Sequence, residues 1–472
     1  MDNKFVNFVD RPISRRQMLS RAGMGIGSLA LASLLSEQKL LAAESLSSPH
    51  FNPTAKSVIV LFMGGGVSHV DTFDPKPTLT KLDSQPCPES ISKNIPAMHR
   101  VQLKSLFGSP WKFKQYGQCG MPISELFPHV AQCADELCLI RSMRHQSPVH
   151  SPAEYIALTG SQGGDRPSLG SWITYGLGSE NRDLPAFVAF LSGTDPGEPS
   201  KAPGWSAGFL PARYQGTRIK NGTIPNLTLP ADYTLEDRRK QLDLIAAYNR
   251  HHQDENPLET ELDARIRSYE LAYRMQTAAP EIFETSDEPE HMRKLYGLDE
   301  APTREFGTNC LLARRLVERG VRFVQLRLAF WDAHADLFGN HTSLARQSDR
   351  PIAALLMDLK QRGLLDSTLV LWAGEFGRTP GAEGSGDKKG RDHSPSGYSL
   401  WLAGGGVKGG QIIGATDDVG YTAIDRSIHP NDLHATLLHA LGLDQNKLWF
   451  EYHNRREKVT VNGGQVINEV FG

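Results

Sequence analysis

The chain has 472 residues, 39% of them hydrophobic, enough for one large α/β domain with an insertion or for two domains. Its 51 Lys and Arg against 53 Asp and Glu leave a net charge of −2, so nothing points to nucleic acid or to an acidic membrane surface. The five cysteines (Cys87, Cys119, Cys133, Cys138, Cys310) contain no CxxC pair, and only Cys133 and Cys138 suggest a bridge after export.

Residues 1–43 read as a leader. Ser14-Arg15-Arg16-Gln17-Met18-Leu19 precedes an apolar run from Ala22 to Leu35 and the small residues Ala42-Ala43. A charged start, a short apolar core and a small-residue exit make a signal peptide. The run is too short to span a bilayer comfortably, although an uncleaved anchor is the alternative. The paired arginines resemble the twin-arginine class, so the expectation is export of the folded protein, by that machinery, to the periplasm or exterior.

Ser57–Met63 is a continuous apolar run that stops at Gly64-Gly65-Gly66 and reads as a first central strand. The glycines leave backbone N–H groups free for an anion or a metal-bound ligand. Ser68, His69, Asp71 and Asp74 follow, then a Pro-rich loop to Pro96. Glu125 to Cys133 has helical spacing, and Leu137–Ile140 reads as the next strand. Residues 141–160 place His145, His150 and two Ser-Pro steps before a helix starting near Pro152, whose N-terminus favours anions. Ser168 to Leu177 predicts a helix, Pro185 to Leu191 a strand, and 192–232 a Gly/Pro-rich loop. From 233 to 300 charged and apolar residues alternate at helical spacing, which predicts a helical insertion with a solvated face over one side of the site.

The α/β pattern resumes with a helix over Phe306–Arg319 and a strand over Val321–Leu326, followed by WDAHADLFGNH with Asp332, His334, Asp336 and His341. A helix from Leu344 to Arg362 leads into TLVLWAG, a strand starting at Thr368, and then GEFGRTP and GRDHSP. Tyr398–Ala403 is a strand, DLHATLLHALGL a helix, and Lys447 to Phe471 a small hairpin. Open α/β sheets gather ligands at the carboxyl edge of their strands. Asp332, His334, Glu375, Asp392 and His393 are therefore expected to line one metal centre, with Asp71 and His69 close by. Oxygen and nitrogen donors without cysteine suit Zn, Mn or Ca. The bland alternative for any one of them is a cap or a salt bridge.

FDPKP, SELFPH, RPSLGSW, WDAH, GEFGRTP, GRDH and DLHATLLHALGL together resemble an exported, sulfatase-like family known as domain of unknown function 1501, in the alkaline phosphatase/sulfatase superfamily. The resemblance spans Lys56 to the end. It implies an α/β fold of the alkaline phosphatase type: a three-layer sandwich whose mostly parallel central sheet carries helices on both faces. It also implies a metal-dependent hydrolase of sulfate or phosphate esters, acting on a small molecule or polysaccharide, with divalent metal ions as cofactors. Asp332, His334, Glu375 and His393 match the ligand positions, and Arg378 an anion contact. Two departures stand out. Gly64-Gly65-Gly66 replaces the usual acid after the first strand. The sulfatase signature reads His150-Ser151-Pro152-Ala153-Glu154, with His150 at the nucleophile position and Glu154 at the arginine. His150 or Ser151 then serves as nucleophile, base or ligand, or water attacks. A non-catalytic anion- or glycan-binding protein on the same fold is the competing expectation.

Overall fold

The first strand, β1 (Ser57–Met63), has no polar face, and the fold explains why. Ile59, Leu61 and Met63 enter one hydrophobic core while Val58, Val60 and Phe62 enter another on the opposite side. A strand covered on both faces needs a continuous apolar run. The computed structural model describes residues 48–472 except 94, 96–102, 164, 193–203, 221–232, 256–268, 272, 275–279, 385, 387 and 462. The expected leader lies outside the described residues.

Beyond β1 the strands up to residue 413 are the hairpin β2 (Phe113–Tyr116) and β3 (Met121–Ser124), then β4 (Cys138–Met143), β5 (Phe187–Ser192), β6 (Thr217–Lys220), β7 (Phe323–Leu328), β8 (Thr368–Ala373), the short pair β9 (Gly377–Arg378) and β10 (His393–Ser394), β11 (Tyr398–Ala403) and β12 (Gln411–Ile413), and two small hairpins follow, Ala415–Thr416 with Ala423–Asp425 and Trp449–Tyr452 with Arg455–Lys458. Among the described residues eight of them form one sheet in the order β12-β4-β11-β8-β1-β7-β5-β6. All neighbours are parallel except β11, which runs antiparallel to both β4 and β8.

The helices that pack on the sheet or lie near the site, together with one in the insertion, are α1 (His69–Thr72), α2 (His150–Thr159), α3 (Leu169–Leu177), α4 (Leu235–Glu255), α5 (Ala301–Glu318), α6 (Leu337–Gln361) and α7 (Pro430–Ala440). Helices α5 and α6 cover one face of the sheet, with Leu312, Leu316, Ile352 and Leu355 in that core. Helices α2, α3 and α7 cover the other through Leu158, Trp172, Ile173, Leu433 and Leu437. The architecture is a three-layer α/β sandwich on a mostly parallel sheet, as the sequence predicts.

Four local readings change. Glu125–Cys133 is not a regular helix: the turn is 3-10, spans Val130–Glu136 and is kinked at Cys133. Its start is fixed by Asp349 of α6, which accepts the N–H groups of His129 and Val130 at 2.9 and 2.8 Å. Helix α6 begins at Leu337, because Asp336 caps it by accepting the Gly339 N–H at 3.2 Å. His341 is therefore a helical residue. The expected 192–232 loop contains the edge strand β6, four residues long. All five cysteines are free thiols, so Cys133 and Cys138 form no bridge.

Candidate metal centre

Parallel β1, β4, β7 and β8 deliver their carboxyl ends to one edge. Because β11 runs the other way, its start and the preceding β10 lie at that same edge. The β9–β10 ladder sets His393 opposite Arg378. Asp332 and His334 follow β7, Glu375 follows β8, and His150 opens α2 beyond β4.

The structure brings His150, Asp332, His334 and His393 together, each offering one donor atom within 4.8 Å of the others. His334 Nε2 and His393 Nε2 are 2.9 Å apart, and they approach Asp332 Oδ1 at 3.1 and 3.3 Å. His150 Nε2 lies 3.2 Å from Asp332 Oδ2, an ion-pair distance, and has no other partner. The other ring nitrogens explain this crowding. His150 Nδ1 faces Glu375 Oε1 at 2.9 Å, His334 Nδ1 faces Glu383 Oε2 at 2.6 Å, and His393 Nδ1 faces the Pro148 carbonyl at 2.7 Å. Each acceptor draws an N–H to Nδ1 and turns Nε2 inward as the nitrogen that would meet a metal once it is deprotonated. A histidine whose second nitrogen donates to a carboxylate or carbonyl is the arrangement of a metal ligand. Three imidazoles and one carboxylate are a nitrogen-rich donor set suited to zinc or a neighbouring transition metal. The residues fit a divalent ion, and calcium, which prefers oxygen, suits this group of four least.

Charge in the centre is held by Asp332. Burial works against its ionisation. Hydrogen bonds from His150 and His393 and the Arg378 guanidinium outweigh that and hold the carboxyl well below the usual range. Burial also opposes protonation of His150, yet its carboxylate partners Asp332 and Glu375 push the imidazole up to about 9.

The other expected residues sit elsewhere or in outer positions. Glu375, 0% exposed, accepts from the Gly65 N–H at 2.8 Å as well as from His150, so that glycine N–H is not free; Glu375 Oε2 is buried without a partner. Asp392 accepts from the backbone N–H of His393 and forms, with His334 and Glu383, a second group of converging donors. Arg378 is 0% exposed: its Nη2 donates to Asp332 Oδ1 at 2.6 Å, its Nε to the Gly66 carbonyl and its Nη1 to that of Arg391. It faces protein rather than an incoming anion. Ser151 follows His150 as the second residue of α2.

Asp71 is not brought to the centre. Both its oxygens face the Arg391 guanidinium at 2.8 and 3.2 Å, and Ser68 donates to it at 2.5 Å. His69 is buried with Nε2 donating to the Gly420 carbonyl at 2.7 Å. Asp74 is held by Lys76, Arg141 and Thr416. The missing acid after β1 has a steric cause: a Cβ on Gly65 would meet the Asp332 amide nitrogen at 2.6 Å. Glu154 pairs with Arg327 of β7 at 2.7 Å, both buried. The sequence reading missed Glu383, whose only signal was one acid in the Gly-rich GAEGSGDKKG loop; the Glu383–Gly390 ladder folds that loop back over His334.

A search of curated proteins finds no match. Solved structures similar to this chain include the PsFucS1 sulfatase from Pseudoalteromonas sp. (12% identity, 88% of this chain and 71% of that one, TM-score 0.33). They also include the phosphonate monoester hydrolase of Agrobacterium radiobacter (11%, 89% and 77%, TM-score 0.34) and an alkaline phosphatase superfamily protein from Vibrio parahaemolyticus (11%, 89% and 78%, TM-score 0.31). At such scores no reaction or ligand transfers to this chain. The family described as protein of unknown function (DUF1501) matches residues 55–471, and to that family the chain belongs.

Proposed function

We propose that the chain is an exported, metal-dependent hydrolase of sulfate or phosphate esters. The observation that carries this reading is the convergence of three imidazole Nε2 atoms on Asp332, each ring fixed from behind by an acceptor. His150, Asp332, His334 and His393 would hold a divalent ion; Glu375, Glu383 and the Pro148 carbonyl would orient the rings. Asp392, which converges with His334 and Glu383, would be a further donor. Bound there, such an ion supplies a positive charge that polarises an ester and stabilises the leaving oxygen. The chain itself would hold Asp332 ionised through Arg378.

Metal analysis of the purified protein, with turnover of 4-nitrophenyl sulfate and 4-nitrophenyl phosphate before and after chelation, tests the reading. About one ion per chain and chelator-sensitive turnover are expected, both lost in His334→Ala. A metal-free protein with no turnover would overturn it. A second reading, a non-catalytic anion- or glycan-binding protein, is favoured by one observation: His150 stands where relatives keep a nucleophile, and it is engaged by Glu375 and Asp332. Bound metal and saturable binding of a sulfated glycan without turnover would establish that alternative. Export by the twin-arginine route is part of the proposal; with Arg15 and Arg16 both changed to Lys, precursor should accumulate in the cytoplasm.

A further inference from the structure

Large apolar side chains are exposed at positions that adjoin the donor residues along the chain. Val149, 58% exposed, adjoins His150, and Phe330, 44% exposed, lies two residues before Asp332. At 3.8 Å between successive Cα atoms, both lie within about 8 Å of a donor residue's Cα. Phe338, 55% exposed, lies four residues past His334 and rests one ring face on Trp111, with centroids 5.4 Å apart and planes 9° apart. Phe330 is the informative one. Its φ is +76°, a left-handed conformation that a bulky residue rarely adopts. Protein groups hold it there: Asn340 Nδ2, on the first turns of α6, donates to its carbonyl at 2.9 Å, and the next residue is tied by Trp331 N–H to the Gly64 carbonyl at 3.0 Å. Trp331 is wholly buried, so the chain turns one aromatic ring inward and presents the other outward. Strain of this kind clusters where a ligand is met.

We propose that Phe330 is a platform for the organic part of the ester. The substrates of this centre then carry a flat apolar ring face, aryl or sugar, rather than a short alkyl group. This rests on the ester-hydrolase reading, with Phe330 a specificity-determining residue and no part of the metal machinery. The test compares 4-nitrophenyl phosphate, glucose 6-phosphate and ethyl phosphate, with their sulfate counterparts, on the metal-loaded protein and on Phe330→Gly and Phe330→Asn. Both replacements tolerate the left-handed backbone, so the melting temperature should hold or rise and the metal content should not change. KM and Kd for the ring-bearing esters should rise about three- to tenfold, the worth of one aromatic contact, and those for ethyl esters should not move. A selective loss for aryl esters alone makes the ring aromatic, and a loss for both makes it any apolar ring face. Equal changes for ethyl and ring-bearing esters, or none for either, would overturn the platform. If the unmutated protein turns over no ester, the hydrolase reading fails by itself. Equilibrium binding of the same six compounds then decides: ring preference abolished in Phe330→Gly keeps the platform, and its absence removes it.

Discussion

Each imidazole of the centre is oriented from behind, and that makes the outer acceptors testable. Glu375→Gln and Glu383→Gln keep the shape of the side chain but remove the charge that draws the proton to Nδ1. Metal affinity is expected to fall about 10- to 100-fold in either, read by competition with a chromogenic chelator. The proton on His150 gives a second prediction. In the metal-free protein its pKa of about 9 exceeds the unfolded value near 6.5. Its contribution to stability is therefore fully present below about pH 6.5 and is lost as pH rises through about 9. An ion needs the same nitrogen deprotonated, so metal affinity should rise across that window and uptake at pH 7.5 should release protons. Melting curves without metal at pH 6 and 9.5, and a pH indicator during metal addition, measure both. Much of this centre was legible, because Asp332, His334, His150 and His393 sit in short motifs beside strand or helix ends. The fate of Asp71 and His69 was not. Their partners, Arg391 and the Gly420 carbonyl, lie more than half the chain away and only the fold brings them near.

Elements defined by an unbroken apolar run were read well: β1, β8 and β11 have almost no freedom to be anything but buried strands. The failures came where tertiary partners decide a boundary. Asp349 sets the start of the Val130 turn and Asp336 that of α6, and a single Asp in a polar stretch announces neither. The contact of α3 with the sheet is tighter than its sequence suggests. A Cβ on Gly170 would sit 2.6 Å from Phe323 and 2.7 Å from Phe187, two rings that meet edge to face at 5.0 Å. Gly170→Ala gains helix propensity but must displace those rings, so we expect a net loss of about 1–3 kcal/mol in denaturant unfolding, with metal content unchanged.

For the molecule as a whole, the Asp71–Arg391 pair ties the segment after β1 to the segment before β11. Both side chains are 0% exposed. Removing one partner leaves the other charged and buried, so Asp71→Ala should cost about 3–5 kcal/mol of stability. Because Asp71 lies outside the donor group, the folded fraction of that variant should bind metal as before. Loss of metal without loss of stability would instead make Asp71 a ligand. The α/β character was legible in the alternation of apolar strands and helices, and the three-layer plan was implied by the family resemblance, whereas the place of β11, antiparallel between two parallel neighbours, was not marked by any residue in it.

The position of β1 has a consequence for how the chain is made. Among the described residues it is the first strand to be synthesised, yet its two neighbours are β7 and β8, so its seven buried residues have no hydrogen-bonding edge to join until residue 328 has been added and lack the second until residue 373. Sequence-distant pairing of this kind folds slowly, and a wholly apolar strand waiting for it is a template for aggregation. The growing chain therefore carries this apolar segment unpaired through most of its synthesis, and its yield in a cell will follow the supply of chaperone more closely than the stability of the finished fold.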